Sequence, residues 1–244
     1  MKHRKKKYWV IPPKADARFV YHMERVLQVY ERPFDPLRPV ICMDETPNQL
    51  IDETRTPIHK SDGTKLIDSE YIRKGTQSIF MAVEPLSGKR FVEARDHHKT
   101  ADWVAFMMQL IDAYKDAEKI TVVLDNLSVH RPEAFYQYFP PAEAKAITDK
   151  VEFVFTPPHG SWLNIAEIEL NVLIGQCLNR RIPDKQTLRR EIQAWQKHRN
   201  QRQVKIDWQF NIQDARKKLD KVYPKINQDE QSLQRSSPED QPEN

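Results

Sequence analysis

Glycine is scarce in this chain, with five residues in 244. None falls in a GxxxxGK[ST] pattern, so there is no phosphate-cradling loop and no reason to expect ATP use. Cysteine is scarcer still. Cys42 and Cys177 lie far apart in apolar contexts without paired-ligand spacing. They read as buried thiols of a reducing compartment, which excludes a disulfide framework and a cysteine-based zinc site. Long apolar runs are also missing. No stretch approaches the roughly 18 residues of a membrane span. The start, MKHRKKKYWVIPP, is basic but has no apolar segment behind it, unlike a secretory signal. These absences point to a soluble, cytoplasmic protein with no membrane partner.

What is present is 39% hydrophobic and 30% charged, with a net charge of +4. That is enough for one large domain, or one domain with extensions. The charge is unevenly spread. Residues 2–7 are all basic, residues 180–205 read RRIPDKQTLRREIQAWQKHRNQRQVK, and the tail after Lys225 is polar with an acidic end. A basic face with an acidic tail fits a polyanion partner, although a solvated helix face accounts for any one run equally well. Arg180, Arg181, Arg189, Arg190, Lys197 and Arg199 are candidates for phosphate contacts, which give sequence-independent, salt-sensitive affinity.

The pattern along the chain is α/β. DARFVYHMERVLQVYE has helical spacing and is followed by the proline-rich breaker RPFDPLRP. PVICMDE reads as a short buried strand ending in an acid. SIFMAVEPLSGKRFVEAR reads as a hairpin turning at Pro85 to Gly88. ADWVAFMMQLIDAYKDA reads as an amphipathic helix capped by Thr100. KITVVLD and VEFVFTPP are further strands, with short proline-broken helices between them. SWLNIAEIELNVLIGQCL reads as a helix capped by Ser161 or Asn164, and helices follow at about 184–199 and 211–222. This order implies a mixed β-sheet flanked by helices.

Two of these strands end in an acid, Asp44 in VICMDET and Asp125 in VVLDNL. Strand ends are where α/β folds place functional groups. On neighbouring strands the two carboxylates come within a few Å and repel, and a divalent metal relieves that conflict. Each Asp alone is more simply an ordinary strand-end cap. A third acid lies at Glu167 or Glu169, which point to different sides of one helix. Glu167 shares a polar stripe with Asn164 and Asn171, and Glu169 lies between Ile165 and Val172. Helical geometry prefers Glu167 only modestly. His130 and His159 flank the same motifs and are candidates for touching DNA or orienting a metal-bound water, although a lone histidine is more often structural. Trp162 reads as packing where this helix begins.

The segments CMDET, VVLDNLSVH and FTPPHGSWLNIAEIELNVL, in that order, resemble the catalytic domain of the IS630 family of bacterial transposases. These are related to the Tc1/mariner transposases and belong to the DDE superfamily. The resemblance continues through CLNRRIPD, AWQKHRN and DWQF, and so covers about residues 8–224. The block HGSWLN followed by an acid on a helix is its most specific part. The interval before the third acid is longer than in compact members, which the PPAEAKAITDK segment accounts for.

The resemblance implies an RNase H-like fold, with Asp44, Asp125 and Glu167 as catalytic acids holding two Mg²⁺ or Mn²⁺ ions. The implied reaction is hydrolysis at element ends, then transfer of the 3′-hydroxyl into target DNA at TA. Implied partners are double-stranded DNA (terminal inverted repeats and target), a second copy in a homodimer, and a separate N-terminal helix-turn-helix polypeptide. The implied location is the bacterial cytoplasm, at the nucleoid when DNA is bound. The expected organisation is a basic arm or linker at 1–37, a DDE catalytic core at 38–180, basic helices at 181–224 and a disordered tail at 225–244. The alternatives are an RNase H-like nuclease that does not join strands, and a truncated copy that only binds DNA.

Overall fold

The computed structural model describes residues 11–12 and 14–225. The basic run at 2–7 and the tail from 226 onward lie outside them. The chain starts with α1 (Ala17–Tyr30), β1 (Val40–Glu53), the two-residue strands β2 (Ile58–His59) and β3 (Lys65–Leu66), β4 (Tyr71–Glu84) and β5 (Lys89–Arg95). Then follow α2 (Thr100–Ala113), β6 (Ile120–Leu124), α3 (Phe135–Tyr138), α4 (Pro141–Lys150), β7 (Val151–Phe155), α5 (Ile165–Leu173), α6 (Lys185–Gln201) and α7 (Ile212–Lys218). No helix among the described residues is long and apolar enough to cross a membrane.

Five strands form one mixed sheet in the order β5-β4-β1-β6-β7. β5, β4 and β1 are antiparallel, and β1, β6 and β7 run parallel. The β4–β5 turn falls where expected. Gly88 there has φ +76, and a Cβ on it would stand 2.7 Å from the Gln203 backbone, so the position takes only glycine. β6 is buried at all five positions, as a parallel strand covered on both faces must be.

Alternation along the strands sorts the core. Ile41, Met43, Val122 and Leu124 face α2 and α4, packing with Trp103, Phe106, Met107 and Ile147. Cys42, Val83, Val123 and Val154 face the other way, against Met23, Val26 and Leu27 of α1 and Ile165 and Ala166 of α5. On that same face Met81 and Val92 meet Leu170 and Leu173 of α5 and Leu188, Ile192 and Trp195 of α6. Each such side chain contributes about 1.5–3 kcal/mol by leaving water. α1, expected as part of an arm, is thus a packed layer of the fold. Asp16 caps it, accepting from the Phe19 N–H at 3.0 Å.

Two local expectations differ from the structure. Lys99, not Thr100, is the N-cap of α2, and Asp102 accepts from its backbone N–H at 3.0 Å. β1 does not end at Asp44. It continues to Glu53, paired with β4 alone, as a two-stranded ribbon carrying β2 and β3 at its tip. The ribbon is held to the body by Arg181, which pairs with Glu53 and donates to the carbonyls of Asp68 and Glu70, and by the Ile51 N–H on the Ile182 carbonyl.

Candidate active site

The β1–β6 register builds the site. Val40 lies opposite Thr121 and Cys42 opposite Val123. Continued by two residues, that register sets Asp44 level with Asp125. Asp44 has the parity of Cys42 and points to the face that carries α5, where it meets Asn164, while Asp125 follows the end of β6 and turns one oxygen to His130. Beyond Cys42, β1 leaves β6 and follows β4 into the ribbon, which opens the sheet between the two acids.

The α5 helix brings Glu167 to this opening. The loop after β7 makes a 3-10 turn at Ser161–Leu163, and Asn164 then caps α5 by accepting from the Ala166 N–H at 3.1 Å. Asn164 is therefore the cap, not Ser161. Glu167 is the third helical residue, where a glutamate commonly bonds back to the N-cap N–H. That N–H is already donated to the Ser161 carbonyl at 2.7 Å. The half-buried Glu167 carboxylate makes no hydrogen bond or ion pair among the described residues.

Glu169 has the opposite environment. It is 1% exposed and accepts from Arg90 at 2.8 Å and from the Arg199 Nε at 2.9 Å. Arg90 is fully buried, so this triad ties β5, α5 and α6 together inside the protein. Of the two glutamates left open by the sequence, only Glu167 faces the acids.

Asp44 carries the electrostatic signature of the site. Burial pushes its carboxyl up to about 7, and the negative charges of Asp125, Glu45 and Glu167 add to the rise against a lowering hydrogen bond from the Glu45 N–H. Anionic oxygens that crowd one another without a cation are the donors that Mg²⁺ and Mn²⁺ take. The donor chemistry of Asp44, Asp125 and Glu167, all carboxylate oxygens, is the kind a hard divalent ion takes. Among the described residues, no three His, Cys, Asp or Glu side chains already stand grouped as a ligand cluster. The three acids border one opening without forming a closed cage.

His130 is bonded to one of the three. Expected at the DNA, it is instead fully buried, stacked against Trp103 at 5.8 Å. Its Nδ1 lies 2.6 Å from Asp125 Oδ1, and its Nε2 lies 3.1 Å from Glu45 Oε2, out of line for a hydrogen bond. Burial alone would lower its pKa. The hydrogen bond to Asp125 and the charges of Asp125 and Glu45 outweigh burial and raise it to about 9. His130 holds the second acid from beneath and does not reach solvent. Glu45, its partner, was missed in the sequence. Alternation in CMDET puts Glu45 on the side opposite Asp44, and that parity was the available signal.

The other expected DNA contacts divide. Arg189, Arg190, Lys197 and His159 are exposed, His159 at φ 61 in the loop before α5. Arg180 is exposed but paired with Glu191. Two are corrections. Arg199 is 14% exposed and committed to Glu169, and Arg181 is spent on the ribbon. Trp162 packs beside the start of α5 against Phe210, with ring centres 6.0 Å apart.

With this geometry in place, the comparisons decide the family. Residues 39–189 match the family model described as DDE superfamily endonuclease. The chain belongs to the DDE superfamily endonucleases. Solved structures similar to this DDE domain include the Mos1 transposase paired-end complex with left transposon end, at 12% identity and TM-score 0.53. They also include the Mos1 mariner paired end complex with Mn, at 14% identity and TM-score 0.52. Each alignment covers 84% of this chain and 63% of the Mos1 chain. A mariner Mos1 paired end complex with Mg aligns over 92% of this chain and 69% of that one, at 12% identity and TM-score 0.50. The chain thus spans about 63% of the length of the first two relatives and shares their RNase H-like fold. No curated protein sequence matches it significantly.

Proposed function

We propose that this DDE domain is the catalytic domain of an IS630-type DNA transposase. In this reading Asp44, Asp125 and Glu167 hold two Mg²⁺ or Mn²⁺ ions. When bound, the ions supply Lewis-acid activation of a water or a DNA 3′-hydroxyl and stabilise the leaving 3′-oxygen. The observation that carries the reading is the approach of the Asp125 and Glu167 charges to the buried Asp44 carboxyl, which burial and those charges push up to about 7.

The protein's own part is positioning. His130, fixed between Asp125 and Glu45, keeps the Asp125 carboxylate turned to the opening. The exposed cations Arg189, Arg190 and Lys197 lie on α6, which packs beside α5 on the same sheet face. They would hold DNA phosphates, and His159 would touch DNA near the start of α5. The substrate is double-stranded DNA, first an element's terminal inverted repeats and then the target at TA. Reading the repeats would fall to a helix-turn-helix polypeptide. The working unit would be a homodimer in the bacterial cytoplasm. Ile58, Leu66, Ile67 and Ile72, all exposed on the ribbon and its tip, suit contact with a second copy.

The test is product analysis with pre-cut element ends, Mn²⁺ and a target plasmid, with a helix-turn-helix domain supplied. End-joined plasmid establishes the transposase. Cleavage without any joined product would replace it with a nuclease of the same fold.

A further inference from the structure

Asn164 occupies a position that its role as a helix cap does not exhaust. Its side chain is fully buried and uses both ends. The amide oxygen accepts from the Ala166 N–H at 3.1 Å. The amide nitrogen donates to the Met43 carbonyl at 2.8 Å and to Asp44 Oδ2 at 3.3 Å. The orientation is unambiguous, because a flipped amide would face two acceptors with its oxygen and an N–H with its nitrogen. The Asn164 backbone carbonyl accepts from the Glu167 N–H at 3.1 Å. One residue therefore grips the strand carrying Asp44, the Asp44 carboxylate itself, and the helical turn carrying Glu167.

We infer that Asn164 is a positioning residue that sets Asp44 and Glu167 relative to each other for metal binding. The inference rests on reading those two acids as metal ligands. The chemistry of the amide suits the task. A lysine or arginine here would place a full cation beside Asp44, in competition with the metal. An aspartate would add another negative charge to a crowded group. A neutral N–H donor holds the carboxylate with a partial positive charge and leaves its remaining lone pairs free.

The grip is itself anchored. Tyr30 of α1 donates its hydroxyl to the Leu163 carbonyl at 2.8 Å and accepts from the Ile165 N–H at 3.4 Å. The backbone on both sides of Asn164 is thereby tied to a helix outside the matched family segment 39–189.

Serine separates the two roles. It caps a helix as well as asparagine does, but it is too short to reach Met43 and Asp44. Mn²⁺ binding by calorimetry should be compared for wild type, Asn164→Ser and Asp125→Asn, at a temperature where circular dichroism shows each fully folded. Binding should weaken about 10-fold or more in Asn164→Ser, the scale on which partners of metal ligands act. Affinity equal to wild type in a folded Asn164→Ser would overturn the inference and leave the metal site standing. If wild type itself binds no more Mn²⁺ than Asp125→Asn, the metal reading falls and takes the inference with it. Asn164→Thr, also a cap and also too short, serves if the serine variant does not fold.

Discussion

Glu167 and Glu169 sit two positions apart on α5 and differ in what their removal does. Glu167→Gln removes a charge that nothing pairs, so urea denaturation of the metal-free protein should show a change of no more than about 0.5 kcal/mol, while Mn²⁺-dependent cleavage is lost. Glu169→Ala strands Arg90 without its partner inside the protein and should cost about 3–5 kcal/mol. The reverse pattern would exchange their roles. Helical spacing could not settle this, because the partners of Glu169 come from β5 and α6 and nothing within α5 announces them. Asp44 gives a pH signature in the metal-free protein. Folded, its carboxyl holds a proton up to about pH 7, whereas unfolded it releases the proton near 4. The folded state therefore binds more protons in that window. Its stability relative to Asp44→Asn is greatest below about pH 4 and falls as pH rises through about 7, by about 4 kcal/mol at most. Thermal melts of both proteins without metal read this directly, and parallel profiles would remove the strain from Asp44.

At the scale of elements, the pairing of the first two acids was legible because β1 and β6 announce themselves as apolar runs ending at an acid. The continuation of β1 was not. Thr46 to Glu53 is mixed and polar, and it is a strand only because β4 pairs with it. The β4–β5 hairpin showed in its turn, where Gly88 is forced. Helix α1 was visible from its periodicity, but not its docking, which depends on Cys42, Val83 and Val123 from three strands. The ribbon makes its own prediction. If the proposed homodimer forms through the ribbon, changing Ile58, Leu66 and Ile67 to serine should shift sedimentation from dimer toward monomer with the melting temperature little changed. An unaltered dimer would move the contact elsewhere.

For the whole molecule, the basic helix was legible as a charge run, but its division of labour was not. Arg181 and Arg199 belong to that run and are spent inside the fold, while Arg189, Arg190 and Lys197 remain exposed. Replacing those three with glutamine should weaken binding to any duplex about equally and flatten its salt dependence by up to about three phosphate contacts. An unchanged slope would place the DNA on another face. The proposal that Asp44, Asp125 and Glu167 form a metal-dependent DNA-cutting site is tested most directly on supercoiled plasmid. Incubated with Mn²⁺, the wild-type protein should convert supercoiled plasmid to nicked circles and Asp125→Asn should not. Equal nicking by both proteins, or by the wild type in excess EDTA, would contradict cleavage at this site.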